Sequence, residues 1–284
     1  MILITGATGR VGGAASAALS HAGTAHRVLV RDPGKFTAAD GAAVEVVRGN
    51  MENPDELSEA LRGTTGALLV MGNHPGQPTL EKQFASLAAE AGVKHLVKVS
   101  SMEAGPESVA AFPRQHFETE EHIRSLGVDW TFLQPNFFMQ NLLMYTGSIT
   151  GAGVFALPLG TARTAPVDTR DVGAVAAAVL SSDQWRNQAL RLTGPELMHF
   201  GQVADVMSTV LGKPIKYVAQ TPEAFREVLS GFVHEPWQLN GVCELFAEIA
   251  NGSLDEKTET VKQVLGRDPI SLARFTADHT TAFT

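Results

Sequence analysis

The residues whose types and spacing point most directly to chemistry stand at the start of the chain. Thr5-Gly6-Ala7-Thr8-Gly9-Arg10-Val11-Gly12 spaces its glycines G-x-x-G-x-x-G, between the apolar run Ile2–Ile4 and a helical pattern over Val11–His21. Gly6 permits the tight turn out of a strand. Gly9 removes the Cβ that would block a pyrophosphate, and Gly12 lets the following helix pack close. The helix start then offers unpaired N–H groups and a partial positive charge to phosphates. The loop Gly6, Ala7, Thr8, Gly9, Arg10 and Val11 is therefore expected to hold a dinucleotide. About 20 residues further on, at the end of the second apolar run, stand Arg31 and Asp32. An acid there would grip the ribose hydroxyls of NAD, and an Arg the extra phosphate of NADP. Arg31 directly follows Leu29-Val30, Lys35 adds a second positive charge, and Asp32 also suits the start of the turn Asp32-Pro33-Gly34. Bidentate pairing of Arg with phosphate is strong, so NADP(H) is the expected cofactor and NAD(H) the lesser fit; the alternative is a solvent-facing Arg.

Other candidates cluster after apolar runs. Asn50 and Met51 follow the third, and Met71, Gly72 and Asn73 close the fourth, where they are expected beside the cofactor. His74 follows in a Pro- and Gly-rich loop, facing either substrate or solvent. Val99, Ser100 and Ser101 end the fifth run; Val99 and Ser100 are placed beside the cofactor and Ser101 in catalysis, although both serines serve equally well as strand-end caps. Pro135, Asn136 and Phe137 follow the sixth run at the expected nicotinamide end, with Phe138 opening toward substrate. Phe137–Met144 carries an apolar stripe that reads as core or as the wall of a pocket for a flat aromatic compound. His116 has an ordinary pKa suited to proton transfer at neutral pH; its alternative is a surface histidine beside Glu120. His116/Glu120 and Glu118/His122 have i,i+4 chelating spacing, but no third ligand is spaced to join them, so no metal is expected. Phe232, His234 and Trp237 are read as a lid over the substrate or as packing of a small C-terminal part.

The elements that must position these groups follow from the apolar pattern. Ile2–Ile4, His26–Val30, Val44–Val47, Ala67–Met71, His95–Ser100 and Trp130–Leu133 are short runs apolar on both faces, as buried parallel strands are. Val11–His21, Pro54–Leu61, Leu80–Ala91 and Phe112–Leu126 lie between them with helical spacing. Asn53-Pro54-Asp55-Glu56 marks a helix start and Gly127 a stop. This alternation predicts right-handed crossovers and an α/β fold: a Rossmann-type doubly wound parallel sheet. Gly147–Gly160 is read as irregular, Ala165–Asp168 as a short strand, Thr169–Leu180 as a helix capped by Thr169 or Asp168, and Ala189–Thr193 as a strand. Beyond His199 the pattern is mostly helical, over Phe200–Leu211, Pro222–Leu229, Trp237–Ala250 and Asp255–Leu265, with Lys213–Val218 as one strand. Residues 1–195 are expected to form the dinucleotide-binding domain and 196–284 a smaller, mostly helical substrate part, with a soft boundary and some crossover.

Composition bounds the remaining choices. The formal net charge of −8 and the absence of a Lys/Arg cluster argue against nucleic acid. A lone cysteine, Cys243, excludes an internal disulfide and a cysteine-based zinc site. No apolar run approaches the roughly 20 residues of a membrane span, and the chain opens on a strand rather than a leader. The expectation is a soluble, cytoplasmic protein with a small-molecule substrate, no membrane or nucleic-acid partner, and room for a homodimer.

TGATGRVG, LVRDP, KVSSMEA, GVDWTFLQPNFFMQN, APVDTRDVGAVAAAVL and LRLTGPELMHFGQVADVMSTVLGKPIKYV, in this order, resemble the NmrA-like atypical short-chain dehydrogenase/reductases over nearly the whole chain. Within them the chain is most similar to the quinone reductase and triphenylmethane-dye reductase branch. The resemblance implies a Rossmann domain with a small C-terminal substrate domain, an active site between them, and NADP(H) preference with Arg31 in the phosphate-gripping place. It also places a Lys or His facing the nicotinamide on the helix that here carries His116. Two departures stand out. The Y-x-x-x-K pair of the wider superfamily is missing, since Tyr145 is followed four places on by Ile149 and Tyr217 by Thr221. Gln134 stands where many relatives have Arg. The leading expectation is an NADPH-dependent reductase of a quinone, enone or similar flat carbonyl compound. A non-catalytic redox sensor that binds a protein partner is the alternative, and a dehydratase or isomerase using bound cofactor ranks third.

Overall fold

The computed structural model describes residues 1–284 apart from Asp40. Seven parallel strands form one sheet in the order β3-β2-β1-β4-β5-β6-β9. They are β1 (Ile2–Ile4), β2 (His26–Val30), β3 (Val44–Arg48), β4 (Gly66–Leu69), β5 (His95–Val99), β6 (Asp129–Pro135) and β9 (Gln188–Leu192). The winding direction reverses between β1 and β4, which pair in the register Ile4↔Leu68. At such a switch point the loops leave the sheet in opposite directions and open a crevice beyond the strand ends. Thr5 pins that crevice, accepting a hydrogen bond from Val70 N at 2.8 Å and donating to Val70 O at 3.0 Å.

Helices cover both faces because the central strands are apolar on both faces. On one side α1 (Arg10–His21) and α6 (Thr169–Leu180) pack Val11, Ala15, Leu19, Val172 and Val175 against Ile4 and Val28. On the other, α2 (Pro54–Leu61), α3 (Gln77–Glu90) and α4 (Ala111–Ser125) bury Leu57, Phe84 and Ile123 against Leu3, Leu96 and Phe132. Local chemistry sets the helix starts. The Asn53 side chain accepts from Asp55 N and Glu56 N just before Pro54, and Asp168 accepts from Arg170 N at the head of α6.

A third core lies beyond the sheet. It joins Met139, Leu142, Ile149, Phe155 and Leu157 to Phe200, Met207, Phe225, Ile249, Phe275 and Phe283. The segment after β6 thus leaves the sheet, packs with the C-terminal helices, and returns through α6 and β9. Its elements are a 3-10 turn at Met139–Tyr145, α5 (Thr146–Ala152), β7 (Val154–Leu157) and β8 (Arg163–Thr164). The C-terminal elements are β10 (Met198–His199), α7 (Phe200–Leu211), β11 (Lys216–Ala219), α8 (Pro222–Ser230), α9 (Pro236–Ala250), α10 (Thr260–Leu265), α11 (Leu272–Asp278) and α12 (Thr280–Phe283). Among the described residues no helix is long and apolar enough to cross a membrane.

Three stretches differ from expectation for long-range reasons. The glycine-rich stretch 147–160 is ordered, because β7 pairs in parallel with β11 from Val154↔Lys216 to Leu157↔Ala219. Ala165–Asp168 forms only a bridge, Phe138↔Val167, while the strand beside it is β8, paired antiparallel with β10. The helix expected from Asp255 begins only at Thr260, since Thr258 N is spent on Thr193 Oγ1 at 3.0 Å.

One buried histidine stabilises the sheet in its neutral form. Thr131 Oγ1 donates to Trp185 O at 2.8 Å, so it must accept from His95 Nε2, also at 2.8 Å. Burial, followed by the Arg186 charge, lowers the His95 pKa to about 4.

Candidate active site

Two adjoining cavities run along the carboxyl ends of the strands. The first, about 310 Å³, is lined by the ends of β1 to β4: Thr5, Gly6 and Thr8, then Arg31, Asn50 and Met51, then Met71 to His74. The second, about 270 Å³, lies beyond β5 and β6 and is lined by Ser100, Ser101, Glu103, His116, Pro135 to Phe138 and residues of α9. Asn73 lines both, so the two adjoin there and together make a trough along the sheet edge.

The first cavity has the properties of an anion cradle. Gly6 turns the chain with φ +64°, and a Cβ there would lie 2.8 Å from Val70 O. Gly12 sits so close beneath the loop that a Cβ would lie 2.4 Å from Gly6 O. The first bond of α1 runs from Gly13 N to Gly9 O at 2.9 Å, leaving the amides of Arg10, Val11 and Gly12 at the open helix end. That end has no side-chain cap and no acid in its first turn, in contrast to α2 with Asn53, Asp55 and Glu56. A helix start with nothing of its own to satisfy it suits a phosphate. At Gly72 a Cβ would meet nothing within 4 Å, so bare backbone keeps the trough open there. The residues present therefore fit a bound dinucleotide.

Arg31 is exposed on the rim of this cavity and, among the described residues, makes no salt bridge. Lys35 lines a shallow recess on the other side of the loop with Ala7, Thr8 and Gly9. The remaining expected cofactor residues divide by what their side chains already do. Arg10 donates to Gln140 O at 3.2 Å, and the Val11 side chain is core. Val99 packs against the core and lines neither cavity. Asn50 N donates to Glu56 Oε2 at 2.8 Å. His74 lines the first cavity with Nδ1 accepting from Gly76 N at 3.1 Å. Asn136 forms a structural knot: its amide donates to Leu254 O at 3.0 Å, and its oxygen accepts from Phe137 N and Ala165 N.

In the second cavity the two serines separate. Ser100 is buried and donates to Glu120 Oε1 at 2.6 Å, whereas Ser101 Oγ is buried without a hydrogen-bond partner. Glu120 also accepts from Gln134 Nε2 at 3.0 Å and Arg124 Nη2 at 3.1 Å, so Gln134 completes a buried carboxylate site. His116 is therefore not a surface residue paired with Glu120. It is buried in the cavity wall, and its Nδ1 lies 3.0 Å from Lys98 Nζ and 3.4 Å from Gln77 Nε2. Burial, and then the Lys98 charge, holds its pKa well below the usual value. Glu103 lines the same cavity, and burial pushes its carboxyl up to about 7. Neither tyrosine reaches the cavity: Tyr217 donates to Leu157 O at 3.1 Å, and Tyr145 packs on Phe155. Among the described residues no group of three His, Cys, Asp or Glu side chains is placed to hold a metal.

The far wall comes from α9, through Leu245, Phe246 and Ile249. Trp237 does not line the cavity; it packs edge-on, at 6.0 Å, to Phe112, which does. Phe232 is 81% exposed, so it forms no closed lid in this arrangement. The wall is fastened by carboxylates. Ala110, the first cap of α4, has no side-chain acceptor, and Glu248 of α9 supplies one, taking Ala110 N at 2.8 Å, Ser108 Oγ at 2.9 Å and also Val109 N. Glu244 takes Ala111 N at 3.0 Å.

Sequence reasoning passed over Lys98, Glu81, Glu103 and Glu248. Lys98 carried a usable signal: a lysine in the middle of the apolar run His95–Val99 must find a buried partner. It finds Glu81 at 2.8 Å, with both side chains fully buried.

The NmrA-like family model matches residues 1–275. An NAD(P)H azoreductase from Xenophilus azovorans is 34% identical over 283 residues, covering all of this chain and 99% of the relative. A (4-alkanoyl-5-oxo-2,5-dihydrofuran-3-yl)methyl phosphate reductase from Streptomyces griseus is 36% identical over 288 residues, covering all of this chain and 99% of its own length. The structure of an NADPH-dependent quinone oxidoreductase from Escherichia coli in complex with NADPH superposes with a TM-score of 0.88 at 25% identity, over 98% of this chain and 99% of that one.

Proposed function

The chain belongs to the NmrA-like family, and from that premise we propose that it reduces a quinone, enone or similarly flat conjugated compound with NADPH. It is an NAD(P)H-dependent oxidoreductase, as its named relatives are. One observation carries the finer reading: the anion cradle adjoins, at Asn73, a cavity walled by Phe112, Phe137, Phe138 and Phe246. The trough is sized and lined for a nucleotide at one end and a flat apolar ring at the other.

A dinucleotide bound in the trough supplies the hydride. The protein's contribution is placement and electrostatics. The open amides of α1 would hold the diphosphate, and Arg31 and Lys35 would supply positive charge for the adenosine-ribose phosphate. The phenyl walls exclude water from the reacting ring. Ser101 and His116 are the polar groups presented to a substrate oxygen, and Glu103 retains a proton near neutral pH. NADPH absorbance followed with quinones, enones and azo dyes tests the reading; no consumption with any of them would overturn the substrate class. Arg31→Ala tests the cofactor assignment. The expected loss is about 10- to 100-fold in NADPH affinity, the worth of one charge-assisted pair, with NADH affinity nearly unchanged.

A further inference from the structure

The buried charge pair behind the second cavity has no direct access to a ligand, yet it touches His116, which lines that cavity. Lys98 Nζ has three N–H donors and no acceptor. All three have targets: Glu81 Oε2 at 2.8 Å, Val99 O at 3.2 Å and His116 Nδ1 at 3.0 Å. Gln77 Nε2 approaches the same Nδ1 at 3.4 Å and donates to Glu81 Oε1 at 3.2 Å. A ring nitrogen facing two donors must offer its lone pair. The single ring proton of a neutral imidazole then resides on Nε2, which has no partner among the described residues.

We infer that Lys98, held by Glu81, is a positioning residue that locks His116 in the neutral Nε2–H tautomer and makes it a fixed hydrogen-bond donor to the acceptor oxygen of the substrate. This inference rests on the reductase reading above. In the reaction, hydride brings two electrons and a hydrogen to the conjugated substrate, and negative charge develops on its carbonyl oxygen. The Nε2–H group stabilises that charge without giving up its proton; the proton that completes the reduction comes from solvent. A donor fixed in place before the charge develops needs no reorganisation, which is why such groups count for much in a dry site. The environment of His116 supports the lock from every side. Lys98 on β5 opposes an imidazolium, and its charge is matched by Glu81 on α3 rather than left for His116 to answer. Glu120, one turn along α4, is occupied by Ser100, Gln134 and Arg124. Glu103 in the loop after β5 keeps its proton up to about pH 7, and α9 presents Leu245, Phe246 and Ile249. Burial and the Lys98 charge both push His116 toward neutrality.

The test is nitrogen NMR on histidine-labelled full-length protein between pH 5 and 8, with His116→Gln assigning the signal. The expected wild-type spectrum shows a pyrrole-type Nε2 and a pyridine-type Nδ1 with no titration across the range. A proton on Nδ1, or a midpoint near the ordinary histidine value, overturns the inference. Lys98→Met paired with Glu81→Gln removes the lock while leaving no unpaired buried charge. In this double variant His116 should regain titration and mixed tautomers. Its kcat with NADPH and a quinone should fall about 10- to 100-fold, with KM changed little. An unchanged kcat in a folded double variant overturns the positioning role. If that variant does not fold, the wild-type spectrum still decides the tautomer. If the wild type turns over no substrate, the reductase reading fails, while the spectrum judges the lock independently.

Discussion

Adding one methyl group at Gly12 probes the cofactor cradle while removing none of the amides a ligand would meet. A Cβ at this position lies 2.4 Å from Gly6 O, 2.6 Å from Gly6 C and 2.9 Å from Thr5 O. These are backbone atoms, so no side chain can swing aside, and an ordinary contact begins only at 3.4 Å. The loop or the helix must retreat by roughly 1 Å, a small-to-large strain of about 1–3 kcal/mol. The same retreat moves the Gly6–Gly9 turn relative to the amides of Arg10, Val11 and Gly12, which are meant to converge on one diphosphate. Losing one such charge-assisted hydrogen bond weakens binding by about 1.5–3 kcal/mol, or about 10- to 100-fold in Kd. Gly12→Ala should therefore lower both thermal stability and the affinity for NADP⁺ measured by titration calorimetry. Gly151→Ala is the control, because a Cβ there meets nothing within 4 Å and lies in a helix; it should leave affinity unchanged and add about 0.4–1 kcal/mol of stability. If Gly12→Ala binds NADP⁺ as tightly as the wild type, the convergence of loop and helix amides is not what holds the nucleotide.

Two further outcomes follow from the geometry. Glu248→Ala strips the α4 start of its borrowed acceptor, so stability should drop by about 1–2 kcal/mol, the worth of a lost helix cap, and KM for the reducible substrate should rise as the α9 wall loosens; an unchanged KM together with an unchanged melting temperature refutes the fastening. His95 has a folded pKa of about 4 against an unfolded value of 6.5, so the stability it contributes is complete above pH 6.5 and declines as pH falls toward 4. Allowing for solvent screening, denaturant titrations should show the wild type losing about 1 kcal/mol more than His95→Gln between pH 7 and pH 5, and equal losses would remove His95 from the acid limb.

The legible parts of the fold and site were those coded by neighbours in sequence. Ile2–Gly12 states a strand, a turn and an uncapped helix within one short stretch, and the apolar runs at Val28, Leu68 and Val97 announce buried parallel strands. What stayed hidden depends on partners far along the chain. Val154–Leu157 carries weak strand character between glycines and is a strand because Lys216–Ala219 lies beside it. His116 is a proton-transfer candidate from sequence, with an exposed pairing to Glu120 as the alternative, and only the placement of α3 over β5 shows that its partner is Lys98. Glu248 reads as a solvent-facing helix acid until α9 is laid across α4. Trp237, a candidate for a substrate contact by residue type, packs edge-on against Phe112, which lines the cavity where Trp237 does not.

The borrowed cap on α4 also bears on when this protein can become active as it is made. The residues that line the dinucleotide cradle, from Thr5 to Leu80, are made first, although α1 gains its packing partner only when α6 has followed. The helix that carries His116 has its first amides answered only by Glu244 and Glu248. A nascent chain that has not yet extended past those positions therefore leaves the start of that helix unanswered. The wall that closes the second cavity is thus the last part of the site to be made.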